Sequence, residues 1–176
     1  MEKKIKEDIV FDGKLIKVIQ RKILVNDTKE SFREIVLHPG AVGIIPITKE
    51  KNLILVKQFR SPLEKILLEI PAGKLKKGED PLECAKRELL EETGFSGDFE
   101  KIGSFASSPG FSNEIIHIFL CKNSYFVSDK FKHEGEIEKV VFLTIEEAYK
   151  LILKGEIEDL KTAFSILYAY ENIRSI

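Results

Sequence analysis

Residues 73–95, GKLKKGEDPLECAKRELLEETGF, decide the fold of this chain because they contain its clearest helix. Asp80 suits the N-cap position of that helix, and Pro81 suits its first turn. Glu83 follows Asp80 at the spacing of a capping box, in which two side chains bond the free amides of a helix start. The sequence therefore predicts a helix from Pro81 to Glu92, with a loop on either side.

Three carboxylates, Glu88, Glu91 and Glu92, fall on one arc of this helix at ~100° per residue. The arc borders an apolar stripe that packs toward the core and consists of Leu82, Ala85 and Leu89. Like charges at this spacing repel each other by a few tenths of a kcal/mol per pair, and a bound cation would remove that repulsion. Carboxylates without His or Cys favour a hard cation such as Mg²⁺ or Mn²⁺. The ordinary alternative is a solvated acidic face paired with Lys86 and Arg87.

The wider spacing distinguishes these two interpretations. Five residues separate Gly73 from Glu79, seven more lead to Arg87-Glu88, and the run closes with the segment 91–95, EETGF. In this spacing the chain resembles the Nudix hydrolase family, whose signature is matched at every fixed position. The resemblance implies an α/β (α+β) fold with a mixed β-sheet sandwiched between helices. It also implies hydrolysis of a nucleoside diphosphate linked to another group, with Mg²⁺ or Mn²⁺ as cofactor.

The resemblance also assigns roles to residues of the signature and next to it. The implied metal ligands are the carboxylates of Glu88 and Glu92, with Glu91 assisting, and the backbone carbonyl of Ala72. Glu79 and Arg87 are the residues that hold the loop–helix–loop in shape. Together with Glu91, they are counted among the residues on which catalysis depends.

The general base in similar enzymes often comes from a loop outside the signature. Here that loop is the acidic segment 132–138, KHEGEIE. By resemblance, Glu134 is the candidate base and Glu136 is a candidate additional metal ligand. Glu136 or a glutamate of the signature remains an alternative base, and an ordinary acidic surface loop remains the alternative for the segment.

Segments outside the signature resemble the ADP-ribose pyrophosphatase group of the family. They are residues 38–42 (HPGAV), 58–60 (QFR), 69–73 (EIPAG), 108–110 (SPG), 155–157 (GEI) and 161–162 (KT). In that group the residues matching Arg33, Glu34, Arg60 and Glu114 contact the substrate. We therefore expect hydrolysis of ADP-ribose to AMP and ribose 5-phosphate. The alternatives are a nucleotide sugar such as GDP-mannose, a dinucleoside polyphosphate, a nucleoside triphosphate, or a module that binds ADP-ribose without cleaving it.

The N-terminal segment is predicted to be a β-hairpin, because Asp12-Gly13 lies between two apolar stretches. Members of the group are dimers that pack their N-terminal strands together. We therefore expect a dimerisation segment over 1–35, a Nudix hydrolase domain over 36–176, and a homodimer.

Composition excludes several other classes of protein. The 176 residues are 43% hydrophobic and carry a formal net charge of -1, which argues against a basic protein that coats nucleic acid. No apolar run approaches the ~20 residues that span a membrane. Cys84 and Cys121 lack metal-binding spacing and are interpreted as buried thiols. We therefore expect a cytoplasmic enzyme whose partner is a small nucleoside diphosphate substrate, and neither nucleic acid nor membrane.

Overall fold

The computed structural model describes residues 1–128 and 137–173. Ten strands, three α-helices and a short 3-10 helix at Ser61–Leu63 lie within these residues. In chain order the strands and α-helices are β1 (Glu2–Asp12), β2 (Lys17–Val25), β3 (Lys29–Leu37), β4 (Ala41–Thr48), β5 (Asn52–Arg60), β6 (Lys65–Glu69), β7 (Ala72–Lys74), α1 (Pro81–Thr93), β8 (Phe95–Ala106), β9 (Ile115–Phe126), β10 (Ile137–Thr144), α2 (Ile145–Leu153) and α3 (Leu160–Asn172). The predicted α+β class is confirmed.

The strands form two sheets. The larger has seven strands in the order β10-β5-β4-β9-β8, with β6 beside β5 and β7 beside β4. The smaller has three strands in the order β1-β2-β3. The predicted hairpin is present, with Gly13 donating its amide to the Ile16 carbonyl at 3.0 Å. Strand β3 was not predicted from the sequence, because its charged residues hide its pairing with β2, in which Ile19 lies opposite Ile35, for example.

The chain divides into two compact units. One consists of residues 1–41 with 104–116, and the other of residues 42–103 with 117–176. In the first unit the loop before β9 attaches to β3. The Val36 amide donates to the Phe111 carbonyl at 2.7 Å, and the Asn113 amide donates to the Val36 carbonyl at 3.2 Å. The N-terminal sheet is thus hydrogen-bonded to a loop from the middle of the chain.

The second unit contains the core against which α1 packs. The apolar stripe predicted for α1 is confirmed at Ala85 and Leu89, which have no exposed surface, while Leu82 is partly buried. They pack in one cluster with the buried residues Val42, Ile44, Cys84, Phe119 and Cys121. The acidic arc of α1 therefore lies at the border of this core.

Side-chain caps define the helix starts. Asp80 accepts hydrogen bonds from the amides of Leu82 and Glu83, as the sequence predicts for α1. Glu83 accepts from Lys86 instead of completing the predicted capping box. The capping box occurs at α2, between Thr144 and Glu147. In residues 1–128 and 137–173, each helix is too short or too polar to span a membrane.

Candidate active site

Arg87 links the loop before α1 to the helix itself. Its Nε donates to Glu79 Oε1 at 2.8 Å, and its Nη2 donates to Glu79 Oε2 at 3.0 Å. Glu79 also accepts from the Lys76 amide at 2.8 Å. These bonds lower the pKa of Glu79 to about 2, with the Arg87 bonds as the largest cause. A bidentate pair of this kind fixes the position of the loop before α1 relative to the helix.

The same guanidinium contacts two further carboxylates. Its Nη1 lies 2.6 Å from Glu88 Oε1 and 3.2 Å from Glu91 Oε2. Burial nevertheless raises the pKa of Glu88 above its usual value, and the neighbouring carboxylates of Glu91 and Glu79 add to this. Arg87 thus partly neutralises several carboxylates, but it does not offset the effect of burial on the pKa of Glu88.

Gly73 is required because Glu88 lies directly against the backbone of β7. A Cβ atom at residue 73 would lie 1.9 Å from Cδ of Glu88 and 2.2 Å from its Oε1. Real atoms do not approach so closely, so any larger residue would displace the Glu88 carboxylate. The first glycine of the signature therefore has a steric reason in this fold.

Glu92 joins α1 to the same backbone segment. Its Oε2 accepts a hydrogen bond from the Ala72 amide at 3.0 Å. Burial raises the pKa of Glu92 to about 8, the Ala72 bond opposes this rise, and the charge of Glu88 adds to it. A neighbouring cation would favour the ionised form of this carboxyl group.

The donors that meet here fit a hard divalent cation. Glu88, Glu92 and the backbone of Ala72 offer oxygen atoms, and neither His nor Cys is among them. In the described part of the chain, no three acidic, His or Cys side chains are grouped as a metal cluster. Glu88 and Glu91 each accept a bond from Arg87, while Glu92 accepts from the Ala72 amide. The site thus has suitable donor chemistry, with its carboxylates bonded to protein donors.

Arg60 lies beside this site on β5 and is held by a buried acid. Its Nε and Nη2 donate to the two carboxylate oxygens of Glu69, each at 2.6 Å. Only 1% of the Glu69 side chain is exposed, against 34% for Arg60. Burial pushes the pKa of Glu69 up, but the bonds from Arg60 and Lys161 outweigh it and the pKa is lowered. Arg60 also favours the ionised form of Glu92 through its charge.

The comparison with known families agrees with this geometry. The family model described as "NUDIX domain" matches residues 37–163, well over half of the chain. The chain belongs to the Nudix family. The predicted family membership is therefore confirmed, and the matched range includes Glu79, Arg87, Glu88, Glu91 and Glu92 on α1 and the preceding loop.

Individual Nudix relatives cover almost the whole chain. An ADP-ribose pyrophosphatase of Bacillus subtilis is 45% identical over 95% of this chain and 91% of its own length. A methanol dehydrogenase activator of Bacillus methanolicus is 44% identical over the same shares. A GDP-mannose pyrophosphatase of Yersinia enterocolitica is 35% identical over 83% of each. The prediction that this chain is an enzyme of the Nudix hydrolase type is confirmed.

A solved structure shares the Nudix fold of this chain. It is described as an ADP compounds hydrolase and superimposes with a TM-score of 0.86 over 99% of this chain and 95% of its own, at 21% identity. At that identity the likeness concerns the fold alone, which confirms the predicted Nudix architecture.

The remaining substrate residues of the Nudix prediction lie in the first compact unit. Arg33 on β3 donates through Nε to Glu2 at 3.1 Å, and its neighbour Glu34 is exposed. Glu114 accepts from Ser107 Oγ at 2.5 Å, and its Oε1 lies 3.2 Å from His38 Nδ1. Arg60 and the signature belong to the second unit.

The predicted base Glu134 and additional ligand Glu136 lie outside the described residues. No role for Glu69, Lys161 or Thr162 was predicted from the sequence, although the segments that contain them resemble the ADP-ribose pyrophosphatase group. Their contacts join residues about ninety positions apart, which leaves no local pattern to read.

Proposed function

We propose that this Nudix enzyme hydrolyses the pyrophosphate bond of ADP-ribose, with Mg²⁺ or Mn²⁺, to AMP and ribose 5-phosphate. The observation that carries the proposal is the convergence of Glu88 and Glu92 on the backbone of Ala72 and Gly73. The Bacillus subtilis relative, 45% identical over 95% of the chain, supports ADP-ribose as the substrate.

The metal would be held by Glu88 and Glu92, with Glu91 and the Ala72 carbonyl as further donors and Glu136 as a candidate from outside the described residues. When bound, it supplies Lewis-acid stabilisation of the phosphate oxygens and a more acidic water. Arg87 and Glu79 keep α1 and its preceding loop in place around these donors. Glu134 is the candidate that takes the proton from the attacking water, with Glu136 or a signature glutamate as the alternative.

Arg60 is the proposed contact for the diphosphate. The pair with Glu69 uses two of its N–H groups and fixes the plane of the guanidinium, which leaves other donors for phosphate oxygens. Arg33, Glu34 and Glu114 are proposed to contact the remainder of the substrate. Glu114 is suited to accept bonds from ribose hydroxyls, since it already accepts one from the Ser107 hydroxyl.

A panel of substrates tests this proposal. Purified protein is incubated with ADP-ribose, GDP-mannose, diadenosine polyphosphates and nucleoside triphosphates, with Mg²⁺ and with EDTA. We expect metal-dependent release of AMP, fastest from ADP-ribose, and near-complete loss of activity in Glu88→Gln. GDP-mannose is included because a GDP-mannose pyrophosphatase is 35% identical to this chain. Preference for another substrate would overturn the ADP-ribose assignment, and full activity of Glu88→Gln would overturn the metal site.

The N-terminal sheet supports a homodimer, with residues 1–35 as the dimerisation segment and 36–176 as the catalytic domain. Every residue of β1 is exposed. Apolar side chains are among them, including Ile9 at 58% and Phe11 at 54%, and Phe32 on β3 is 55% exposed. Exposed apolar strands of this kind commonly mark an interface.

Sedimentation at micromolar concentration measures the oligomeric state. We expect a species of twice 20.1 kDa, and conversion toward the monomer in Ile9→Lys. A wild-type protein that sediments only at 20.1 kDa would contradict the homodimer. We further propose a cytoplasmic location, which suits Cys84 and Cys121, since both thiols are free and buried.

A further inference from the structure

The segment that joins β6 to β7, residues 69–72, is held from several directions. Glu69 pairs with Arg60 of β5, and the Ile44 amide of β4 donates to the Pro71 carbonyl at 2.9 Å. At its end, the Ala72 amide donates to Glu92 of α1. This short segment therefore sets the distance between the Ala72 backbone and the carboxylates of the signature.

Helix α3 supplies two more contacts to the same segment, although it follows it by about ninety residues. Lys161 Nζ donates to Glu69 Oε2. Thr162 Oγ1 accepts the Ile70 amide at 2.9 Å, and both Thr162 and Ile70 are buried, with 0% and 1% exposure. Glu69 and Ile70 are adjacent, so the first turn of α3 forms hydrogen bonds with two consecutive residues of the segment.

The first turn of α3 is itself fixed by its N-cap. Asp159 Oδ2 accepts from the Thr162 amide at 2.9 Å and from the Thr162 hydroxyl at 2.6 Å, and it lies 2.9 Å from Lys161 Nζ. The hydroxyl of Thr162 thus donates to Asp159 while it accepts from Ile70, which uses both of its capacities. Only 14% of the Lys161 side chain is exposed. A largely buried network in which these groups are satisfied holds its members in place.

We propose that Lys161 and Thr162 are positioning residues for the metal site, because they hold residues 69–72 so that Ala72 meets Glu92. This inference rests on the proposed metal-dependent hydrolysis. Neither residue belongs to the Nudix signature, and neither touches the proposed metal donors directly. Their contacts act along the backbone, from Glu69 and Ile70 to Ala72, and the charge of Lys161 in addition favours the ionised form of Glu92.

Metal affinity is the measurement that such a role would change. Binding of Mn²⁺ is measured by titration calorimetry without substrate, and kcat and KM for ADP-ribose are measured separately. For Lys161→Met we expect the Kd for Mn²⁺ to rise and kcat to fall, each by about 10-fold, as is usual when a residue that orients metal ligands is lost. KM should stay within about 3-fold of wild type, since Arg60 keeps its pair with Glu69. Lys161→Arg should restore most of the loss.

Lys65 provides a matched control. It pairs with Glu158 at the surface, between β6 and the residues just before α3, and 43% of its side chain is exposed. Lys65→Met therefore removes a lysine–glutamate pair between the same parts of the fold. Exposed pairs contribute little, so metal affinity, kcat and KM should stay at wild-type values. A loss in Lys65→Met equal to that in Lys161→Met would overturn the proposal.

A second pair of variants covers the case in which Lys161→Met does not fold. Thr162→Val removes the acceptor for the Ile70 amide, whereas Thr162→Ser keeps it, so only the valine variant should lose Mn²⁺ affinity. Wild-type metal affinity in folded Lys161→Met or Thr162→Val would overturn the positioning role while the proposed function stands. A change confined to KM would do the same, since it would mean that Lys161 acts through Arg60. A wild-type protein that neither binds Mn²⁺ nor cleaves the substrate would overturn the proposed function, and this inference with it.

Discussion

At the scale of single residues, Arg87 and Gly73 explain why the signature positions are so specific. Arg87 reaches Glu79, Glu88 and Glu91 with one planar group, which the single ammonium of lysine could not reproduce. Gly73 contributes by having no side chain, since Glu88 occupies the space where a Cβ would be. Position 87 thus depends on the planar guanidinium group, and position 73 depends on the lack of a side chain.

We expect Gly73→Ala to fold and to lose activity, because the added methyl group must displace the Glu88 carboxylate. The expected fall in kcat for the proposed substrate ADP-ribose is roughly 10–100-fold, the usual effect of a disturbance around a metal ligand, which is the role proposed for Glu88. Lys77→Ala is the control, since Lys77 is exposed in the loop that follows β7. Steady-state kinetics with thermal unfolding on both variants checks this, and wild-type kcat in Gly73→Ala would contradict the steric argument.

Glu79 makes the stability of the protein depend on pH in the acid range. Its pKa is lowered from 4.5 to about 2 in the folded state, so the folded protein holds the ionised form more readily than the unfolded chain does. The stabilisation is complete above pH 4.5 and is lost as pH falls toward 2. Glu79→Gln should therefore have a lower free energy of unfolding than wild type at pH 7, and this difference should shrink below pH 4.5.

Urea denaturation at a series of pH values measures that difference. Glu64→Gln is a suitable control, since Glu64 is exposed and lies outside the signature. Its free energy of unfolding should follow that of wild type over the whole range. A gap between Glu79→Gln and wild type that stays constant down to pH 2 would show that Glu79 stabilises the fold by something other than its charge.

At the scale of elements, α1 depends on its N-cap. Asp80 Oδ1 accepts from the Leu82 amide at 2.9 Å and from the Glu83 amide at 3.2 Å. Asp80→Ala should lower the free energy of unfolding by about 1 kcal/mol, the usual value of an N-cap side chain. Asp80→Asn retains an acceptor and should lose little. Chemical denaturation of both variants measures these losses, and equal losses would indicate a role for the charge of Asp80 beyond the cap.

At the scale of the whole molecule, the core of the second unit carries α1. Leu89 is fully buried in the cluster that includes Val42 and Phe119, whereas its neighbour Leu90 is 38% exposed. Leu89→Ala should lower the free energy of unfolding by roughly 2–5 kcal/mol, because a cavity remains where the side chain packed. Leu90→Ala should lose less than half as much. Similar losses in the two variants, measured by denaturation, would contradict this description of the core.

The sequence by itself determined α1 and its signature. The cap at Asp80 and the apolar stripe with Leu89 lie within a few turns of chain, where local preferences decide the conformation. The N-terminal hairpin predicted from Asp12-Gly13 was also found, as β1 and β2. Strand β3 was missed, because its pattern of charges resembles a loop until β2 pairs with it.

Only the tertiary structure decided how distant segments support the signature. Residues 104–116 cluster with the N-terminal sheet, and α3 contacts Glu69 and Ile70 from 92 residues away. Such contacts arise when the chain closes upon itself, and one sequence carries no periodicity or spacing that records them. The donors of the proposed metal site could therefore be predicted from one contiguous stretch, residues 72–92, whereas the contacts that hold this stretch in place exist only in the folded chain.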